Sequence, residues 1–201
     1  MNAGSRATPQ RMLCWLAVCS AMTLAAGCSL MRDKNPNERT TGDGGKMLRV
    51  SSTQVTVDPS ASELATLAQV QDHTFARPGN DRLLAASTAA LKDMGFNPVK
   101  ADTQTALVEG QLDRVLKERW RASIRALFKA RGVPLSAKPD HESVAALIAV
   151  RPNAAGGALV RARFNVTIWD SNGDSRTTTV TDAEMYERFF KRVDALLASA
   201  Q

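Results

Sequence analysis

Between Ala158 and Trp169 the chain alternates, with Val160, Ala162, Phe164, Val166 and Ile168 on one parity and Arg161, Arg163, Asn165 and Thr167 on the other. Successive side chains of a strand point to opposite faces, so this run is satisfied as a strand with one buried face and one wet face. That demand restricts the fold to a sheet covered on a single side. Ser171-Asn172-Gly173-Asp174 follows and carries the Asn-Gly pair favoured in tight hairpins, so Arg176 to Val180 is expected to pair back antiparallel. Ser143 to Val150 reads as the strand before. Gly156-Gly157, after Pro152-Asn153-Ala154-Ala155, reads as a hairpin connection: it lacks the Gly-Lys-Ser/Thr ending and the following helix of a phosphate loop.

The cover must come from helices. Pro78-Gly79-Asn80-Asp81 introduces one: Asn80 is the expected cap, Leu83, Leu84, Ser87, Leu91 and Met94 share a face, and Gly95 stands where a left-handed C-terminal cap belongs. Thr181-Asp182-Ala183-Glu184 matches a capping box, and Tyr186, Phe189, Phe190, Val193 and Leu197 form the apolar stripe of a closing helix. A first strand is expected to begin near Ala68 and run to Phe75. Phe96 to Lys100 is short and extended, Ala101 to Gln104 turns, and Thr105 to Leu112 is a strand with Ala106, Val108, Gly110 and Leu112 on one face. From Asp113 to Ala130 the period becomes helical, with Leu116, Trp120, Ile124, Leu127 and Phe128 in a narrow arc, and Gly132 and Pro134 close it. The predicted fold is α+β: an antiparallel sheet of about five to six strands with helices packed on one face.

The N-terminus carries a different message. Arg6 and Arg11 precede a stretch from Met12 to Met31 without a charged side chain, the pattern of a basic n-region and an apolar h-region. The segment ends Leu24-Ala25-Ala26-Gly27-Cys28, which resembles the lipobox of bacterial lipoprotein precursors, with Leu24 one position earlier than that motif usually places it. The resemblance implies cleavage between Gly27 and Cys28 and acylation of the Cys28 thiol. An uncleaved transmembrane anchor is the competing reading, because the stretch approaches the roughly 20 apolar residues that span a bilayer. Cys14 and Cys19 fall in the leader, so the mature chain would keep Cys28 alone and could form no internal disulfide. Residues 1–27 are thus expected as signal peptide, 28–67 as lipidated cysteine, tether and a possible extended segment, and 68–201 as the α+β domain. The tether expectation rests on Ser29 to Lys46, rich in Asn, Asp, Gly, Thr and Lys.

Two of the positive charges in the net +6 belong to the leader, and the remainder is a modest excess rather than a nucleic-acid footprint. No catalytic residue, cofactor or metal site is expected. His73 and His141 are not at a ligand-pair spacing. Ser143 lies beside His141 in sequence, yet a triad needs groups brought together by the fold, and no Gly-x-Ser-x-Gly elbow occurs. The most suggestive surface feature is the basic helix, whose Arg119, Arg121, Arg125 and Lys129 would face anionic headgroups with Trp120 and Phe128 at the boundary. Ordinary packing of an amphipathic helix on a sheet explains the same pattern.

The run Leu91-Lys92-Asp93-Met94-Gly95-Phe96 with Ala101-Asp102 and Leu107-Val108, and the closing Asp182-Ala183-Glu184-Met185-Tyr186 with Phe189-Phe190, resemble the helix-grip domains of envelope lipoproteins. Those domains include the lipoprotein C subunit of the outer-membrane β-barrel assembly machinery; small outer-membrane lipoproteins of unassigned activity look similar. The likeness covers about Gln71 to Ala200 and carries packing positions, not catalytic ones. It implies a non-enzymatic envelope component, anchored by lipid in the outer membrane facing the periplasm, with other envelope proteins as partners and no nucleic acid. The alternative is a module that holds a lipid or other apolar ligand between helix and sheet. A cell-envelope hydrolase ranks last.

Overall fold

A computed structural model of the chain describes residues 36–43, 52–115, 138–153 and 157–199. The signal and lipobox residues, including Gly27 and Cys28, and the basic segment with Arg119, Trp120, Arg121, Arg125 and Lys129 lie outside the described residues. The elements form one unit, Asn37–Gln201, and follow in the order β1 (Glu38–Asp43), β2 (Thr53–Val57), α1 (Ala61–Val70), β3 (Asp72–Phe75), α2 (Asn80–Asp93), β4 (Val99–Asp102), β5 (Leu107–Val115), β6 (Pro139–Pro152), β7 (Ala158–Asp170), β8 (Ser175–Thr179) and α3 (Ala183–Ser199).

The class is α+β, and the sheet has eight strands rather than the expected five or six. Its order is β1-β2-β8-β7-β6-β5-β4, with β3 paired separately to β7. All pairings are antiparallel except β2 with β8. The extra strands are β1, in the stretch read from sequence as tether, and β2, in the stretch read as a possible extended segment. Composition misleads there because an edge strand needs no apolar face of its own: β1 is Glu-Arg-Thr-Thr-Gly-Asp, held by its ladder with β2 and by the Arg39–Asp58 ion pair at 2.6 Å. The unit therefore begins some thirty residues before Ala68.

The expected strand start at Ala68 is also corrected, since residues 61–70 are helix. Ser60 and Glu63 form a reciprocal cap: the Ser60 N–H donates to Glu63 Oε2 at 2.9 Å, and the Glu63 N–H donates to Ser60 Oγ at 3.4 Å. A strand follows only from Asp72. Helix α2 begins on Gly79, which caps without a side chain, so Asn80 is its first residue and not its cap. Its far end agrees with expectation: Gly95 has φ +93°, its N–H reaches Lys92 O, and the Phe96 N–H reaches Leu91 O at 3.0 Å, a Schellman motif that leaves Phe96 buried. At α3 the first-turn bond comes from Asp182, whose carboxylate accepts from the Glu184 N–H at 3.2 Å, one residue later than the Thr181 capping box implied.

The β7–β8 hairpin forms on Ser171-Asn172-Gly173-Asp174 as the Asn-Gly pair indicates. Buried Asp170 organises it by accepting from the backbone of Asn172 at 2.9 Å and Asp174 at 3.1 Å. Strand β5 continues through Asp113, Arg114 and Val115, opposite Ser143, Glu142 and His141, where helix was expected to start. The cross-strand ladder outweighs the apolar spacing that begins at Leu116.

Helices α2 and α3 pack on each other, and α2 also lies against β4, β5 and β6. Their apolar stripes, Leu83, Leu84, Ala90 and Leu91 from α2 and Tyr186, Phe189, Phe190 and Val193 from α3, close on Val160, Ala162, Phe164, Ala146 and Ile148 of the sheet. Phe164 sits centrally, with its ring edge-on to Tyr186 at 5.2 Å and to Phe189 at 6.0 Å. The Tyr186 hydroxyl donates to Val180 O at 2.7 Å, and burial raises its pKa.

Candidate functional site

Helices seal one face of the sheet, and the side chains of opposite parity make up the other. Residues directly opposite one another in a ladder share a face, so the register assembles this outer surface in rows across the strands. One row is His141 and Trp169, and the next is Asp113, Ser143, Thr167 and Thr177. Gln111, Ala145, Asn165 and Thr179 follow, and then Lys100, Glu109, Leu147 and Arg163.

Each row has its own chemistry. The imidazole of His141 stacks on the indole of Trp169 with centroids 4.7 Å apart and planes 9° from parallel. Asp113 accepts from Gln111 Nε2 at 3.1 and 3.2 Å, and the Ser143 hydroxyl, these bonds and the nearby His141 hold its pKa below the ordinary carboxylate value. Thr167 and Thr177 share a hydroxyl bond at 2.8 Å, and Thr179 Oγ1 donates to Asn165 Oδ1 at 3.0 Å. Beyond them lies a depression of 320 Å³ lined by Pro98, Lys100, Glu109, Gln111, Ala145, Leu147 and Asn165. Leu147 is 43% exposed in a row that is otherwise charged.

The fold does bring a serine, a histidine and an aspartate together, but not in the order of a catalytic triad. The Ser143 hydroxyl is turned to the Asp113 carboxylate, whose pKa it lowers, while His141 Nδ1 lies 3.3 Å from Asp140 and one face of its ring stacks on Trp169. A triad needs the imidazole between nucleophile and carboxylate. His73 lies on the sealed side, its ring 4.6 Å from Phe75 and 5.1 Å from Phe190. Gly157 closes the β6–β7 hairpin, where its carbonyl accepts from the Asn153 N–H at 3.1 Å, in line with the hairpin reading of Gly156-Gly157. Among the described residues no group of three or more His, Cys, Asp or Glu is placed to hold a metal ion, and no helix is long and apolar enough to cross a membrane.

The place where a helix-grip domain would hold a ligand, between the closing helix and the sheet, is filled here by Phe164, Tyr186 and Phe189, all 0% exposed. The described depressions instead open at the surface. A second, of 330 Å³, lies along α3 beside His73, Glu187 and Lys191, and a third, of 360 Å³, lies where Arg77 and Arg82 meet Asp194 and Leu197.

The residues singled out as sites from sequence, Gly27, Cys28, Arg119, Trp120, Arg121, Arg125 and Lys129, lie outside the described residues, and of the outer face only His141 and Ser143 were weighed from sequence, as triad members. Its other members were visible only as the wet parity of three strands, and Asp113 was assigned to a helix. Register, which no single strand encodes, aligns Asp113 with Ser143 and Gln111 with Asn165 across Ala145. The chain matches no family model, no curated protein and no solved structure.

Proposed function

We propose that the chain is an exported lipoprotein, cleaved before Cys28 and held to a bacterial membrane by acyl chains on that cysteine, whose α+β domain works by binding rather than by catalysis. The outer membrane, on its periplasmic side, is the location that Ser29 after the cysteine favours. The observation that carries the binding role is the asymmetry of the sheet. One face is closed by a filled apolar core, and the other presents Leu147, a depression and rows of polar side chains in which opposite charges are balanced. The contacts of His141, which are to Asp140 and Trp169, weigh against a hydrolase. The packed ring cluster under α3 weighs against an apolar ligand held inside, so the surface is the favoured place of contact.

The test of compartment and anchorage is intact mass of the membrane-extracted protein beside a Cys28→Ala variant, with fractionation of both. The expected product starts at Cys28 and carries acyl mass, and the variant loses that modification. A full-length, unmodified chain retained in the membrane would mean a transmembrane anchor and would overturn the lipoprotein reading. The role of the basic segment is tested separately: a change of Arg119, Arg121, Arg125 and Lys129 to Gln that leaves liposome binding intact removes any membrane contact from it.

A further inference from the structure

We propose that the outer sheet face, from the His141–Trp169 stack to the depression at Leu147, is a binding site for a neutral glycan strand bearing acetamido groups. This rests on the exported reading above only for where such a glycan would be met; the chemistry comes from the face itself.

Sugar rings are bound by apolar contact of their C–H faces with flat aromatic surfaces and by hydrogen bonds from short neutral side chains. The face supplies both in sequence. At one end the His141 ring stacks with one face on Trp169, so that its opposite face is the flat surface for a sugar ring, and the His141 side chain is 45% exposed. Next come the Thr167 and Thr177 hydroxyls, and then the Gln111 and Asn165 amides on either side of Ala145, whose small side chain keeps the floor flat. The depression at the far end has an apolar base in Ala145 and Leu147 and amide walls in Gln111 and Asn165. An acetamido group has the matching character: a methyl for the base, and a carbonyl and an N–H for the walls.

Charge selects among ligand classes. Lys100 and Arg163 are balanced by Glu109 and Asp113 on the same face, and Lys100 stands directly opposite Glu109. A face with no net charge offers little to a phosphate-rich polymer or an anionic bilayer, and it suits a neutral strand. From His141 to Leu147 is six residues along β6, about 20 Å at strand rise, room for a short oligosaccharide laid along the strands.

The test uses the full-length chain purified in detergent, titrated calorimetrically with tetra-N-acetylchitotetraose and with cellotetraose, which has a hydroxyl in place of each acetamido group. The expected result is saturable binding of the first and at least tenfold weaker binding of the second. Trp169→Ala is expected to weaken the first at least tenfold and Gln111→Ala at least threefold. Gln111 is an exposed side chain, so the second variant keeps the test decisive if Trp169→Ala disturbs folding. No binding of the acetylated sugar at millimolar concentration overturns the proposal, as does equal binding of both sugars or indifference to both substitutions. Each of these results is independent of whether Cys28 is acylated, so the site and the anchor stand or fall separately.

Discussion

Along β7 the two faces of the sheet can be compared residue by residue. Val160, Ala162 and Phe164 are 0% exposed and lie under α2 and α3. Their neighbours Arg161, Arg163 and Asn165 look the other way. Arg161 makes a double bond pattern to Asp72 at 2.7 Å, and Asn165 accepts from Thr179. The first set stabilises by removing apolar area from water, a term that is large and insensitive to exact neighbours. The second is held by cross-strand pairs, each worth well under the burial of one large side chain. One face thus supplies stability, and the other can change its side chains at little cost to the fold.

The comparison breaks most clearly at Phe164. Phe164→Ala is expected to cost about 3–5 kcal/mol, because it empties the space between Tyr186 and Phe189. Denaturant unfolding measures it, and a loss under ~1 kcal/mol would mean that the sealed face is not the principal source of stability. Gly157→Ala is the next largest. With φ +77° and an added Cβ placed 2.0 Å from Phe75 O, the residue must move the β6–β7 connection against β3. The loss should exceed the ~1–2 kcal/mol that left-handed backbone alone costs an L residue.

Smaller effects sharpen the outer face. Asp113 is held below its ordinary pKa by Ser143, Gln111 and the charge of His141. A depressed carboxylate contributes stability that is present above the unfolded value of about 3.9 and is lost as pH falls through the folded value. Asp113→Asn should therefore flatten the acid limb of the stability–pH curve below about pH 4 and leave its slope at neutral pH unchanged. Equal acid limbs in both proteins would show that these contacts of Asp113 are not maintained in solution. Smallest of all, Leu147→Ala should stay within about 0.5 kcal/mol in thermal unfolding. A core-sized loss there would mean that this side chain is packed rather than presented.

How much of this was legible in the sequence depends on the range of the interaction that decides each element. Phe164, Val166 and Ile168 announced a half-buried strand because alternation is local, and Gly95 announced a helix end because left-handed backbone is a property of one residue. Strand β1 was missed because Glu38, Arg39, Thr40 and Thr41 have the composition of a tether, and only pairing with residues 53–57 makes them a strand. Helix α1 was missed although Ser60 and Glu63 carry a capping box, since only Leu67 of its ten residues is buried and its apolar signal is correspondingly faint. Asp113 was placed on a helix because the apolar spacing beyond it is helical, while its own position is set by Ser143 thirty residues away. The candidate site is made of register, and register is the part of a sheet that one strand cannot state.

Two large apolar side chains, Leu64 at 48% and Leu147 at 43%, are exposed among the described residues, and they provide the control for the central claim that the outer sheet face is the contact surface. A photo-crosslinking amino acid placed at each position in turn, in the full-length chain in its native membrane, tests that claim most directly. Crosslinks to another molecule from position 147 and not from position 64 on α1 are the predicted result. Equal crosslinking from both positions, or crosslinking from position 64 alone, would contradict it.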